Sequence, residues 1–148
     1  MAIYIETKIR YDKMMENGAV KKVTESYLVD ALTFTEAEAR TVEEMQSFIS
    51  GEFSVSAVKK TKISEVFFKE DAERNYLVKV AFITLQEKTG VEKRTVSQIL
   101  VQADYFIEAY NNFQEKMKGT MADYEIIGIT ETPILEVFKL KYNQENEK

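Results

Sequence analysis

Basic side chains at strand-like spacing carry most of the chemistry this chain could offer. Lys8 and Arg10 alternate with Glu6 and Asp12 in IETKIRYD, Lys21-Lys22 follows one turn dipeptide, and Lys93-Arg94 follows another. The densest run, VKKTKI, adds Lys59, Lys60 and Lys62. Such cations can hold phosphate oxygens, and Arg brings a planar fork that grips two oxygens at once. Tyr27 and Tyr4 lie near enough in sequence to offer rings on which a base could stack. Lys8, Arg10, Lys22, Tyr27, Lys60 and Arg94 are therefore the candidate ligand-binding residues, for a small anionic ligand such as a nucleotide. The same residues also have plainer roles. Lysines at hairpin ends discourage edge-to-edge pairing, Lys clusters face water, and Lys8 and Arg10 could pair with Glu25 across a hairpin.

The absences narrow the chemistry further. Histidine and cysteine are both missing, which removes Ser-His and Cys-His constellations, thiolate nucleophiles, disulfides and Cys-based zinc sites. No Walker loop, GxGxxG, HExxH or EF-hand pattern occurs, so no catalytic residue, cofactor or metal is expected. Glu36, Glu38, Glu43 and Glu44 lie in or near the opening turns of an expected helix, where they suit its dipole better than a metal site. The formal charge of −5 argues mildly against broad duplex binding. The N-terminus shows no basic segment followed by an apolar core, and no apolar run is long enough for a membrane span. A cytoplasmic protein that does not engage membranes is the expectation.

The elements that must position these cations come in two copies. One displacement of the chain sets Tyr4 on Tyr76, Gly18 on Gly90 and Lys21 on Lys93. Leu28, Val29 and Ala31 then meet Leu100, Val101 and Ala103, while Phe34 and Ala37 meet Phe106 and Ala109. After one deletion Glu65-Val66-Phe67 falls on Glu136-Val137-Phe138. Matches spread over a whole unit mark a structural repeat. Each unit opens with alternating apolar and polar residues, turns at Asn17-Gly18 or Thr89-Gly90, and returns as VTESYLVDAL or RTVSQILVQA: a hairpin. A helix follows. Thr35 and Glu38 fit a capping box and Val42, Met45 and Ile49 recur at helical spacing up to Gly51. In the second unit Asp104 is the candidate cap, and Phe106, Tyr110, Phe113 and Met117 form a core-facing stripe up to Gly119. The strands FSVSAV and YEIIGIT come next, with further extended pieces around ISEVFF and ILEVFKLKY.

The expected fold is α+β: two tandem ββαβ(β) repeats forming a pseudo-twofold antiparallel sheet with two helices on one face. Residues 1–142 form one domain of two repeats, about 1–70 and 73–142, and the polar tail 143–148 is expected to fray. KEDAERN, Lys69 to Asn75, is the charged surface connection between them. One question stays open at this level. A two-residue turn at Asn17-Gly18 would put Ile5 and Ile9 on the face of Asp30 and Ser26, whereas a one-residue bulge would put them beside Ala31 and Tyr27. In the second unit the tight turn already gathers Val78, Val80, Ile99 and Val101.

The run from KIRYDK through NGAVKKVTESYLVDALTFTEAEAR resembles an uncharacterised family of small proteins from Bacteroidetes and their phages, over nearly the whole chain to about Phe138. VTESYLVDALTFTEAEAR is its most distinctive part. The resemblance implies a cytoplasmic bacterial or phage setting and carries no catalytic residue. The reading that follows is a non-enzymatic binding protein that holds or sequesters a small anionic or nucleotide ligand, between repeats or at a homo-oligomer interface. The alternatives are a single-stranded nucleic-acid-binding protein with the sheet as stacking platform, and an adaptor offering a sheet edge to a protein partner.

Overall fold

The alternation in IYIETKIRY becomes strand β1 (Tyr4–Met14), and its return becomes β2 (Val20–Asp30). The structure, a computed structural model, describes residues 3–139, so the tail at 143–148 lies outside the described residues. After β2 come α1 (Phe34–Met45), β3 (Phe53–Lys60) and β4 (Ile63–Phe67). The second repeat supplies β5 (Arg74–Leu85), β6 (Glu92–Ala103), α2 (Phe106–Met117), β7 (Asp123–Glu131) and β8 (Ile134–Phe138). The fold is α+β, with the ββαββ order appearing twice.

The first turn settles which face is buried. Gly18 N–H donates to Met15 O at 2.9 Å, Met15 N–H to Ala19 O at 2.7 Å, and Gly18 sits at φ 84°. This is a loop closed by a left-handed glycine, longer than a two-residue Asn-Gly turn, and the extra residue shifts the strand parity. Ile5 therefore faces Val29 and Ile9 faces Glu25. Ile5 and Ile9 share a face with Tyr27, Val29 and Ala31, the arrangement the bulge alternative would give. In the second hairpin Val78, Val80, Ile99 and Val101 gather as expected.

The two turns differ by one residue. Met15–Ala19 closes the first hairpin, and the longer Gln86–Val91 closes the second. Ile5 faces Val29 as Tyr76 faces Val101, so Ile5, rather than Tyr4, is the structural counterpart of Tyr76. Tyr4 corresponds to Asn75: the Thr61 hydroxyl donates to Tyr4 O at 2.6 Å and the Thr132 hydroxyl to Asn75 O at 2.8 Å.

The expected single antiparallel sheet is instead two mixed sheets, ordered β3-β1-β2-β8 and β4-β6-β5-β7. Three strands of each sheet belong to one repeat and are antiparallel. The fourth is the last strand of the other repeat, paired in parallel: β8 along β2, β4 along β6. The chain accordingly divides into two compact units, one running to Thr61 and resuming at Pro133, the other spanning Lys62–Thr132. Equivalent bonds tie down the residues that follow β3 and β7. Thr61 N–H and Thr132 N–H also donate to Tyr4 O and Asn75 O, at 3.2 and 2.9 Å, which holds each threonine on an extended course. Pro133 further biases Thr132 towards extended backbone.

Each helix packs on one face of the sheet in its own unit. Ala37 and Met45 of α1 meet Ile5, Ile9, Tyr27, Val29, Ala31 and Phe138, and Phe113 of α2 meets Phe67, Val78, Val80, Ile99 and Val101. Burying each large aliphatic or aromatic side chain contributes on the order of 1.5–3 kcal/mol. The capping box of α1 forms at Thr33 and Glu36, two residues before the expected Thr35 and Glu38. Thr33 Oγ1 accepts from Glu36 N–H and the Glu36 carboxylate accepts from Leu32 N–H, each at 3.1 Å. Asp104 does not cap α2. Its carboxylate accepts from Glu73 N–H at 3.0 Å and pairs with Lys69, which also pairs with Glu108.

The stripe on α2 is narrower than its sequence suggests. Ala109 and Phe113 are buried, whereas Phe106 and Tyr110 are 51% and 44% exposed. Phe34, at the matching start of α1, is likewise exposed, while Leu28, Val29, Ala31 and Ala37 are buried as expected. Both Phe34 and Phe106 are the first residues of their helices, and the Phe106 ring still meets Tyr76 edge-on at 6.3 Å. No helix among the described residues is long and apolar enough to cross a membrane.

Candidate functional site

The face of β1 turned away from α1 carries Glu6, Lys8, Arg10 and Asp12, because successive side chains alternate sides. The register places Arg10 between Thr24 of β2 and Ser54 of β3, and places Asp12 opposite Lys22. β3 begins at Phe53, opposite Tyr11, while β1 and β2 run on to their turn. That step in the sheet leaves a concavity of about 320 Å³ lined by Arg10, Tyr11, Asp12, Lys22, Glu52, Phe53 and Ser54.

Arg10, Asp12, Lys22, Glu52 and Ser54 are exposed, and Tyr11 and Phe53 are half-buried against the core. Among the described residues no ion pair or side-chain hydrogen bond engages Arg10 or Lys22. Burial, and then the Glu25 carboxylate, raise the Tyr11 hydroxyl above the usual phenol range, so it stays a neutral donor.

Three of the six candidate residues share this face: Lys8, Arg10 and Lys22. Lys8 is half-buried between Ser26 and Ala57 and does not line the concavity. Tyr27 lies on the opposite face, 5% exposed, with its ring stacked on Phe138 at 5.2 Å. Its hydroxyl donates to Glu25 Oε1 at 3.1 Å, and burial followed by Glu25 pushes it far above the usual phenol range. It offers no free ring to a ligand. Lys60 is also on the helix side, level with Ile5, and lines a separate hollow of about 260 Å³ with Ile3, Leu32, Thr33 and Phe34. Arg94 belongs to the other unit and its guanidinium is held by Glu125 at 3.1 Å.

Comparing the two hairpins sharpens the picture. Lys22 and Arg94 are counterparts, as the sequence repeat suggests. Around them the second unit has Ala81 where the first has Arg10, Ile83 where it has Asp12, and Glu125 where it has Ser54. At this place the second unit pairs its cation, Arg94, with its own Glu125. The first presents Arg10 and Lys22 in no ion pair, with a serine, Ser54, at the position of Glu125.

Sequence reasoning missed Tyr11, Asp12, Glu52, Phe53 and Ser54 as members of the site. Their membership depends on where β3 begins against β1, a long-range register with no local signal.

Residues 3–141 match the family of the domain of unknown function DUF4494, so the chain belongs to that family. No curated protein and no solved structure matches it.

Proposed function

We propose that this is a non-enzymatic protein that binds a small phosphate-bearing ligand, a nucleotide by preference, in the concavity at the step of the first sheet. One observation carries this reading: Arg10 and Lys22 stand unpaired on one face beside the Ser54 hydroxyl, while the equivalent place in the second hairpin is closed by the Arg94–Glu125 pair. Two cations held in no ion pair are suited to phosphate oxygens, with Arg10 able to bind two at once. A volume of about 320 Å³ is at the small end of ligand pockets, which fits a mononucleotide. The chain has no histidine or cysteine to supply general-base or thiolate chemistry, so its role is to hold the ligand. In the cytoplasm of a bacterium, or of one infected by a phage, such a protein would withdraw a nucleotide from circulation.

Titration calorimetry with inorganic pyrophosphate and nucleoside monophosphates tests this. Binding should weaken by about tenfold or more in Arg10→Ala and in Lys22→Ala, since a hydrogen bond to a charged group contributes about 1.5–3 kcal/mol. Arg94→Ala should leave it unchanged. Absence of heat with every ligand, confirmed by equilibrium dialysis, overturns the reading.

A further inference from the structure

The concavity holds two carboxylates as well as two cations. Asp12 and Glu52 line it beside Arg10 and Lys22, yet no ion pair joins any of the four among the described residues. A purely anionic ligand would gain from the cations and be repelled by the carboxylates. A matching ligand carries negative charge at one end and N–H or O–H donors at the other.

The register orders these groups across the sheet. Lys22 on β2 faces Asp12 on β1, Tyr11 faces Phe53, the first residue of β3, and Glu52 immediately precedes that strand. Lys22 and Asp12 therefore form a transverse row, with Glu52 lining the concavity beside the start of β3 and Arg10 one row below on the same face as Asp12. Neighbouring strands are about 4.8 Å apart, so β2 and β3, on either side of β1, lie roughly 10 Å apart, the reach of a nucleoside monophosphate from phosphate to base edge.

We infer that the ligand is a guanine nucleotide, with its phosphate on Arg10 and Lys22, its ribose hydroxyls towards Asp12, and its base edge on Glu52. This rests on the anion-binding reading above. The choice of base follows from donor patterns. Guanine presents an N1–H and an amino N–H side by side, two parallel donors that match the two oxygens of one carboxylate. Adenine and cytosine each set an acceptor nitrogen beside their amino group, which a carboxylate repels, and uracil flanks its single N–H with two carbonyls. A bidentate match of this kind typically gives tenfold or more discrimination against the wrong base. The second unit, with Ile83 in place of Asp12, lacks the row and should not bind.

Calorimetry of the full chain with GMP, AMP, CMP, UMP and pyrophosphate decides it. GMP should bind about tenfold or more tighter than the other monophosphates. Glu52→Gln should abolish that preference while pyrophosphate binds at least as well as before. Glu52 is exposed and in no ion pair among the described residues, so a circular dichroism spectrum should be unaltered. Equal affinity for GMP and AMP overturns the guanine assignment and leaves the anion site standing. A preference for GMP that survives Glu52→Gln overturns the role of Glu52. Failure of every ligand, pyrophosphate included, overturns the anion-binding reading itself.

Discussion

Beneath α1 two buried hydroxyls meet where the second unit has only apolar atoms. Thr7 and Thr41 are both 0% exposed with their oxygens 2.8 Å apart; their counterparts are Val78 and Phe113. Thr41 donates its own proton to Ala37 O at 2.9 Å, so Thr7 must be the donor in the pair. The two hydroxyls are therefore not equivalent. Thr41→Val leaves the Thr7 donor buried with no acceptor, a cost of about 1–3 kcal/mol. Thr7→Val removes the donor while Thr41 keeps its bond to Ala37, so only the net value of one hydrogen bond is lost, about 1 kcal/mol or less. Valine is close in shape and helix propensity to threonine, so packing and propensity change little. The double variant contains no orphaned donor and should be no less stable than Thr41→Val alone. Urea unfolding followed by circular dichroism measures all three. A Thr7→Val variant as unstable as Thr41→Val, or a double variant whose loss is the sum of the singles, refutes the assignment of the donor.

Other perturbations have equally definite outcomes. Gly18→Ala meets no atom within 4 Å but must adopt φ 84°, so urea unfolding should show a conformational loss of about 1–2 kcal/mol. Burial, and then the nearby Glu44, raise the Glu136 carboxyl above its ordinary range, so the folded state takes up its proton more readily than the unfolded chain. Stability should therefore rise as pH falls through that raised value, and Glu136→Gln should stabilise the protein at neutral pH with the gain shrinking in acid. The Asp104 carboxyl is lowered by the Glu73 amide and then Lys69, and the Glu108 carboxyl by Lys69 and then the Asp104 amide. Their stabilisation is present above the ordinary carboxylate range and is lost as pH falls through the lowered values. Lys69→Met should flatten the acid limb of a thermal-stability profile. Arg94→Ala should change stability by about 1 kcal/mol or less, because its pair with Glu125 is half-exposed.

What the sequence revealed, and what it withheld, follows from the range of the interactions involved. Hairpins, helices and the repeat itself rest on local periodicity and turn chemistry, so β1–β2, β5–β6, α1 and α2 were legible. The parity of the first hairpin turned on one residue in a loop, which a dipeptide signal at Asn17-Gly18 does not specify. The exchange of β4 and β8 between sheets was invisible, because ISEVF and ILEVF read as strands whatever they pair with. The site divides in the same way. Lys8, Arg10 and Lys22 fall on one face because β1 and β2 are neighbours joined by a short turn. Tyr27 went to the core side because its parity follows the loop. Ser54, in β3, and Glu52, just before it, joined the site through a pairing with β1 between residues far apart in sequence.

A two-dimensional amide NMR titration of the full chain with GMP tests the binding proposal most directly, since it locates the ligand as well as detecting it. If Arg10, Lys22 and Glu52 hold the nucleotide, the shifts should concentrate at residues 10–12, 22 and 52–54, and leave the hairpin around Arg94 unmoved. Saturating shifts centred elsewhere, or a spectrum unchanged at millimolar GMP and pyrophosphate alike, would contradict it.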